Sequence, residues 1–229
     1  MRIAVLADTH APKRWRGCPP TVARHLAGAD LILHAGDVCN AEVFHELAAF
    51  APVRAVLGNN DGPDVCAWGA PPSLTLDLEG LQVGMVHDAG PRAGRLRRLR
   101  RRFPTAGLVV FGHSHIPLDL QDEQLGLRIF NPGSPTDRRR QRQGTMGLLR
   151  VDRGRLTAAR IVPVTSPRDG AERSGVAHLR ARFATSRIGS ASARPCRNGR
   201  LAHPVLRVVA PPQGLLDRVG MAEEAWQGP

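Results

Sequence analysis

Seven side chains able to bind a divalent cation fall in five short clusters: Asp8-Thr9-His10, Gly36-Asp37, Gly58-Asn59-Asn60-Asp61, His87 and Gly112-His113-Ser114-His115. Four of these clusters directly follow an apolar, strand-like run. Imidazole, carboxylate and a neutral amide oxygen, without thiolate, suit Mn²⁺, Fe²⁺, Zn²⁺ or Co²⁺ rather than a sulfur-rich zinc centre. Two such ions about 3.5–4 Å apart could share a carboxylate and clamp a phosphoryl group. They would also acidify a bridging water, giving a hydroxide nucleophile near neutral pH.

The spacing within the clusters is expected to aim the donors together. In Asp8-x-His10 and His113-x-His115, side chains of an extended segment alternate, so both members of each pair leave on one side. Gly36, Gly58 and Gly112 allow sharp exits from strands and close backbone approach. The crevice outside the carboxyl ends of parallel strands is the usual binding place in open α/β sheets.

The elements that must position these residues are legible as short apolar runs rich in Val, Ile and Leu at 2–7, 31–34, 53–57, 83–86 and 107–111, as buried strands require. Helices are expected at 21–28, with Thr21 as N-cap, and at 41–50 after Asn40. This alternation predicts a largely parallel sheet with helices against it. From residue 73 the pattern changes to period two, and Gly80 marks a hairpin. Residues 92–103 predict an amphipathic helix through Leu96, Leu99 and Phe103. Its arginines 95, 97, 98, 100, 101 and 102 are expected on a solvated face able to attract anions. Further strands are expected at 116–121, 125–130, 146–151 and 156–162, in antiparallel arrangement.

The chain has 229 residues, enough for one well-buried domain and an appendage. Residues 1–165 are expected to form the domain. Residues 166–229, rich in Arg, Ser, Ala and Pro, are expected to form a flexible extension, with a strand in 201–210 and a weak helix at 214–226. No apolar run reaches roughly 18 residues, so a transmembrane helix is not expected, and the short N-terminal apolar run reads as a strand rather than a signal peptide. The four cysteines are scattered, which argues against a disulfide framework or structural zinc and sets the cytoplasm as the expected location. The net charge of +12 comes almost wholly from arginine, with Lys13 the only lysine. Such basicity favours polyanionic ligands without choosing among them.

Taken in order, D-x-H, G-D, G-N-x-D, H, G-H-x-H and Asn131-Pro132-Gly133-Ser134 resemble the calcineurin-like metallophosphoesterases, and among them the small bacterial and archaeal phosphodiesterases. The resemblance covers about residues 1–165. It implies an α/β (α+β), four-layer αββα sandwich of two mixed sheets flanked by helices. It implies two divalent ions, Mn²⁺ first, with Fe²⁺, Zn²⁺, Co²⁺ or Ni²⁺ as alternatives. By position, Asp8, His10, Asp37 and His115 would hold one ion, and Asp37, Asn59, His87 and His113 the other. Asp37, Asn60 and His87 are the expected catalytic residues. Two departures stand out. Asn60 occupies the place where many relatives carry a histidine that protonates the leaving group, and an amide cannot act as a general acid. His87 is followed by Asp88 rather than glycine, a carboxylate placed either to orient His87 or to face solvent.

The expected activity is therefore metal-dependent hydrolysis of a small phosphate ester, most plainly a phosphodiester. One alternative is a non-catalytic protein-interaction scaffold on the same fold, since a retromer subunit resembles these enzymes and serves as a binding platform. A nuclease is the other alternative. Nucleic acid is weakly supported as a partner, because tyrosine is absent and only six phenylalanines occur, whereas single-strand binders stack bases on aromatic rings.

Overall fold

The computed structural model describes residues 1–164, the strand at 206–208 and Trp226. The elements run β1 (Arg2–Leu6), α1 (Pro20–Leu26), β2 (Leu31–His34), α2 (Glu42–Ala48), β3 (Val53–Ala55), α3 (Pro63–Trp68), β4 (Ser73–Leu78), β5 (Leu81–Val86) and α4 (Arg95–Arg102). There follow β6 (Leu108–Val110), β7 (Leu118–Asp122), β8 (Leu127–Asn131), β9 (Thr145–Asp152), β10 (Arg155–Pro163) and β11 (Leu206–Val208).

Two mixed sheets form, in the orders β10-β9-β1-β2-β3 and β11-β4-β5-β6-β8-β7. In the first, β1, β2 and β3 are parallel and the β9–β10 hairpin adds antiparallel to β1. In the second, β5, β6 and β8 are parallel, β4 pairs antiparallel with β5, and β7 antiparallel with β8. Period-two alternation sorts the side chains of β1 into two cores. Ile3 and Val5 face the second sheet and pack with Leu31, Leu33, Leu76, Met85 and Val110. Ala4 and Leu6 face outward, under Val22 and Leu26 of α1 and Phe44 and Leu47 of α2. A third cluster lies on the outer face of the second sheet, where Leu99 of α4 and Phe103 cover Val109 and Ile129. The layers are thus helices, sheet, sheet, helix: the expected αββα sandwich.

Local chemistry accounts for most boundaries. Asn40 accepts the Glu42 N–H through Oδ1 (2.8 Å) and so caps the first turn of α2. Helix α1 instead starts one residue before the expected cap, with Pro20 in its first turn and no side-chain cap. Helix α3 is not among the expected elements; Asn59-Asn60-Asp61-Gly62 just before it has the composition of a turn. The proline is the first helical residue, and Gly69 closes the helix in a left-handed conformation with φ 108°.

Three further expectations need correction or a boundary. The arginines of α4 do not all face solvent. Arg95 donates to Gly90 O, Arg98 to Ala89 O and Pro91 O, and Arg100 to Pro104 O and Leu125 O. These three tie the helix to its flanking loops, and only Arg97, Arg101 and Arg102 are exposed. Cys18 and Cys39 are free thiols, but Cys66 is disulfide-bonded. The extension expected over 166–229, with its helix at 214–226, lies outside the described residues apart from β11 and Trp226. There β11 pairs parallel with β4, within the stretch expected to hold a strand. Trp226 is buried, its ring N–H donating to Ala27 O at 3.1 Å. No helix among the described residues is long and apolar enough to cross a membrane.

Strand β5, which delivers His87, is pressed against Phe103. A Cβ on Gly84 would lie 2.6 Å from the Phe103 ring. Gly84→Ala is expected to destabilise the fold by about 1–3 kcal/mol through overpacking. A denaturation midpoint equal to that of the unsubstituted protein would contradict this packing.

Candidate metal centre

All seven candidate donors sit on loops that leave the carboxyl ends of β1, β2, β3, β5 and β6. Backbone bonds lace these loops together. Asp8 N–H donates to Gly36 O (3.0 Å), His10 N–H to Asp37 O (3.1 Å) and Gly112 N–H to His87 O (2.9 Å). The loops of both sheets therefore meet at one end of the sandwich.

The donors assemble into two groups, Asp8-His10-His115 and Asp37-His87-His113, each with its ligand atoms within 4.8 Å of one another. In the first, Nε2 of His10 stands 3.2 Å from Nε2 of His115, which in turn is 3.5 Å from Asp8 Oδ1. In the second, Asn59 Oδ1 lies 2.8 Å from His113 Nδ1 and 3.1 Å from His87 Nε2, so Asn59 joins that group. Asp37 reaches both: its Oδ2 is 3.9 Å from His10 Nε2 and 3.4 Å from His87 Nε2.

These contacts fit cations better than hydrogen bonds. His115 donates from Nδ1 to Asp137 O (2.6 Å) and His87 from Nδ1 to Ala35 O (2.7 Å). Donation from Nδ1 leaves Nε2 as the atom of each ring that can turn a lone pair toward a cation at the centre, as in metal-binding imidazoles. Two nitrogens bound about 2.1 Å from one ion stand roughly 3.0–3.4 Å apart at tetrahedral or octahedral angles, which matches the His10–His115 contact. Asp8 Oδ2 is buried and has no hydrogen-bond partner among the described residues. An unpartnered buried carboxylate oxygen is costly unless something positive meets it.

The electrostatics agree. Burial drives the Asp8 carboxyl up to about 7, against the lowering influence of His87. Burial also opposes the charge on Asp37, but the hydrogen bond and charge of His87 and two Asn60 donors hold that carboxyl well below its usual range. Burial works against a charged His87, yet Asp37 and Asp8 raise its pKa overall. His10 and His115 are lowered, chiefly by burial.

The backbone is less relaxed than period-two spacing suggests. Strand β1 ends at Leu6, and Asp8 and His10 are not extended but left-handed, with φ 56° and 50°. Asp37 (φ 56°), His113 (φ 69°) and His115 (φ 57°) share that conformation. It costs on the order of 1 kcal/mol per L-residue, and Asp and His are among the few side chains that tolerate it. The paired donors thus converge through tight left-handed turns, not through strand alternation. Gly36 has φ 87°, and a Cβ there would sit 2.8 Å from His87 Nδ1. A Cβ on Gly58 would collide with Asp37.

Polar side chains hold these turns in place. Asp61, the last residue of the G-N-x-D cluster, is central, a role the sequence reading does not assign to it. Its carboxylate accepts N–H groups from Asp37 (3.0 Å), Cys39 (2.7 Å) and Gly58 (2.7 Å), joining the loops after β2 and β3. The only sequence signal for this was a short acid three residues after a glycine, a turn-former's position. Asn131 donates to Gly112 O (2.8 Å) and Ser134 to Asp8 O (2.7 Å), while Thr136 donates to Thr9 O (2.9 Å). The Asn131–Ser134 segment therefore braces the loops of Asp8 and His113. Asn60 donates to Asp37 through backbone (2.8 Å) and amide (2.6 Å). Asp88 is exposed and accepts Gly90 N–H, so Ala35 O, not Asp88, orients His87. His34 is fully buried, edge-on to Phe44 and bonded to Thr9 Oγ1. Arg14 and Arg139 flank Asp137 at 3.7 and 4.0 Å, and the charge of Arg139 reaches His115, His10 and Asp8.

Comparison with known proteins places this arrangement. The model of the calcineurin-like phosphoesterase superfamily domain matches residues 1–154. The probable metallophosphoesterase of Methanothermobacter thermautotrophicus is 35% identical over 162 residues, covering 69% of this chain and 90% of that protein. That of Methanocaldococcus jannaschii is 31% identical over 167 residues, covering 72% and 82%. A Thermotoga maritima protein solved by NMR is similar at TM-score 0.56 and 29% identity, over 71% of this chain and 98% of its own. An archaeal phosphodiesterase (TM-score 0.55, 19% identity, 71% and 100% covered) shares the fold, as does the zinc complex of a vacuolar sorting protein from Entamoeba histolytica (0.57, 21%, 72% and 100%). The chain belongs to the calcineurin-like phosphoesterase superfamily, a family of metal-dependent phosphoesterases.

Asp61→Ala leaves three backbone N–H groups without their acceptor. Loss of about 2 kcal/mol of stability is expected, together with a tenfold to hundredfold loss of metal affinity, the usual order for partners that orient ligand loops. Asp88→Ala should change neither. Calorimetric Mn²⁺ titration and urea denaturation of both variants check this, and equal behaviour of the two would contradict the bracing role of Asp61.

Proposed function

We propose that the protein is a phosphodiesterase working through two divalent ions, with Mn²⁺ the first candidate. Asp8, His10, Asp37 and His115 hold one ion, and Asp37, Asn59, His87 and His113 the other. The observation that carries this reading is the position of Asp37, one carboxylate within 3.9 Å of imidazole nitrogens from both donor groups. When bound, the ions supply Lewis acidity toward the phosphoryl oxygens and an acidified water for attack on phosphorus. The remaining work falls to the chain. The two Asn60 N–H donors favour the ionised form of Asp37, which can then offer its charge to both positions. Arg139 lies close enough for its charge to act on Asp8, His10 and His115, and a guanidinium there can bind a phosphate oxygen.

Asn60 takes part by holding Asp37. Its amide is already committed to that carboxylate, and it carries no proton to give a departing alkoxide. The leaving group must therefore depart as its anion or take a proton from water, which favours esters of acidic alcohols and phenols. The phosphodiesterase among the structural neighbours, by its name, supports the choice of a diester. A complete donor set supports catalysis over a purely scaffolding role.

With Mn²⁺ supplied, hydrolysis of bis(p-nitrophenyl) phosphate is expected, and Asp37→Ala should reduce it on the order of a thousandfold, the scale of several kcal/mol of lost Lewis-acid stabilisation. Undiminished turnover in that variant would sink the proposal. Across a series of aryl phosphodiesters, the rate should fall steeply as the phenol becomes less acidic. Asn60→His should flatten that dependence by restoring an acid at this position. An equally steep dependence in the variant would show that position 60 has no bearing on the leaving group.

A further inference from the structure

A groove of about 880 Å³ lies between α4 and the segment running from Ser114 into β7. Its apolar lining comes from Leu96, Ile116, Leu118, Leu120, Leu125 and Ile129, and Arg92, Arg95 and Arg97 stand on the α4 side. Ile116 and Leu120 are 55% and 41% exposed, two of the three large hydrophobic residues left so open among the described residues. Period two along this segment aligns Ile116, Leu118 and Leu120 on one side. The volume is that of a pocket for an organic molecule and far exceeds what a phosphate group alone requires.

Both walls adjoin, along the chain, segments that carry donors of the candidate metal centre. Ser114 lines the groove and sits between His113 and His115, and Ile116 follows directly. The opposite wall is tethered to the loop after His87, where Arg95 donates twice to Gly90 O (3.2 and 2.8 Å) and Arg98 to Ala89 O (2.9 Å). Arg95 also lies over the Phe111 ring at 5.1 Å, which fixes its guanidinium at the base of this wall.

We infer that this groove receives the second ester group of the phosphodiester, and that this group is an alkyl chain. The inference rests on the phosphodiesterase reading above. Aliphatic side chains line the floor, and among the described residues the lining holds no aromatic ring on which a nucleobase would stack. Three arginines against one lining carboxylate, Asp122, complement an anionic diester rather than a neutral ester. Chain length should then translate into binding, at about fourfold per methylene fully removed from water.

The test compares methyl, butyl and hexyl p-nitrophenyl phosphate with Mn²⁺ and the full chain. A rise in kcat/KM of at least tenfold from methyl to hexyl is expected, carried mainly by KM. In Ile116→Asp/Leu120→Asp, substituted at exposed positions, the hexyl-to-methyl ratio should fall toward one. Being a ratio, it is unaffected by partial loss of folded protein. Calorimetric binding of hexylphosphonate against methylphosphonate reads the groove without turnover, and at least tenfold tighter hexyl binding is expected, lost in the double variant. Absence of hydrolysis with that binding preference intact would overturn the phosphodiesterase reading while upholding the groove. Equal binding and equal rates across the series would overturn the groove. So would a preference for thymidine 5′-(p-nitrophenyl) phosphate over the hexyl ester, or self-association abolished by the double variant without any chain-length effect.

Discussion

Candidate metal donors crowded within about 3 Å of one another define this end of the molecule. Nε2 of His10 and His115 point together, Asn59 Oδ1 meets two ring nitrogens, and a buried oxygen of Asp8 meets nothing. Such an arrangement repels itself unless protons or metal ions stand between the donors. Everything else at this end of the sandwich can be understood as the means of holding mutually repelling groups at fixed positions.

Three kinds of support share that task. The strands of both sheets deliver their loops to one edge, with parallel β1, β2 and β3 on one side and β5 and β6 on the other. Left-handed turns at five of the seven donors aim the side chains inward at a local cost. Buried or half-buried acceptors and donors then lock the turns, with Asp61 spanning two loops and Asn131, Ser134 and Thr136 bracing two more. Rigid strands and a bonded outer ring of side chains are what a preorganised site requires.

Much of this was legible in the sequence, for a physical reason. Buried strands need continuous apolar runs, and four of the five candidate clusters directly follow such a run, so the neighbourhood of Asp8, Asn59, His87 and His113 could be read from patterning alone. The local conformation could not. Asp8-x-His10 looks like strand alternation, but the strand ends at Leu6 and the pair converges through left-handed backbone. Asp61 escaped notice because its partners are backbone N–H groups contributed by distant residues, which leave no mark on composition. Helix α3 was hidden by a Gly-Pro pair that starts a helix as readily as it makes a turn. The arginines of α4 looked solvated because charge patterning does not reveal which carbonyls lie within reach, and Arg95, Arg98 and Arg100 found several.

Membership of the calcineurin-like phosphoesterases sets the chemistry, and the particular residues qualify it. Asn60 donates to Asp37 through backbone and amide, so in the proposed reading it serves that carboxylate instead of the leaving group. The apolar groove is proposed to choose substrates by their ester group. The proposed activity depends on two cations sharing Asp37. The most direct measurement is calorimetric titration of Mn²⁺ into the full chain after removal of metals with chelator. Two equivalents per chain are expected, falling to one in His10→Ala. A single equivalent in the unsubstituted protein, or none, would contradict the two-ion centre.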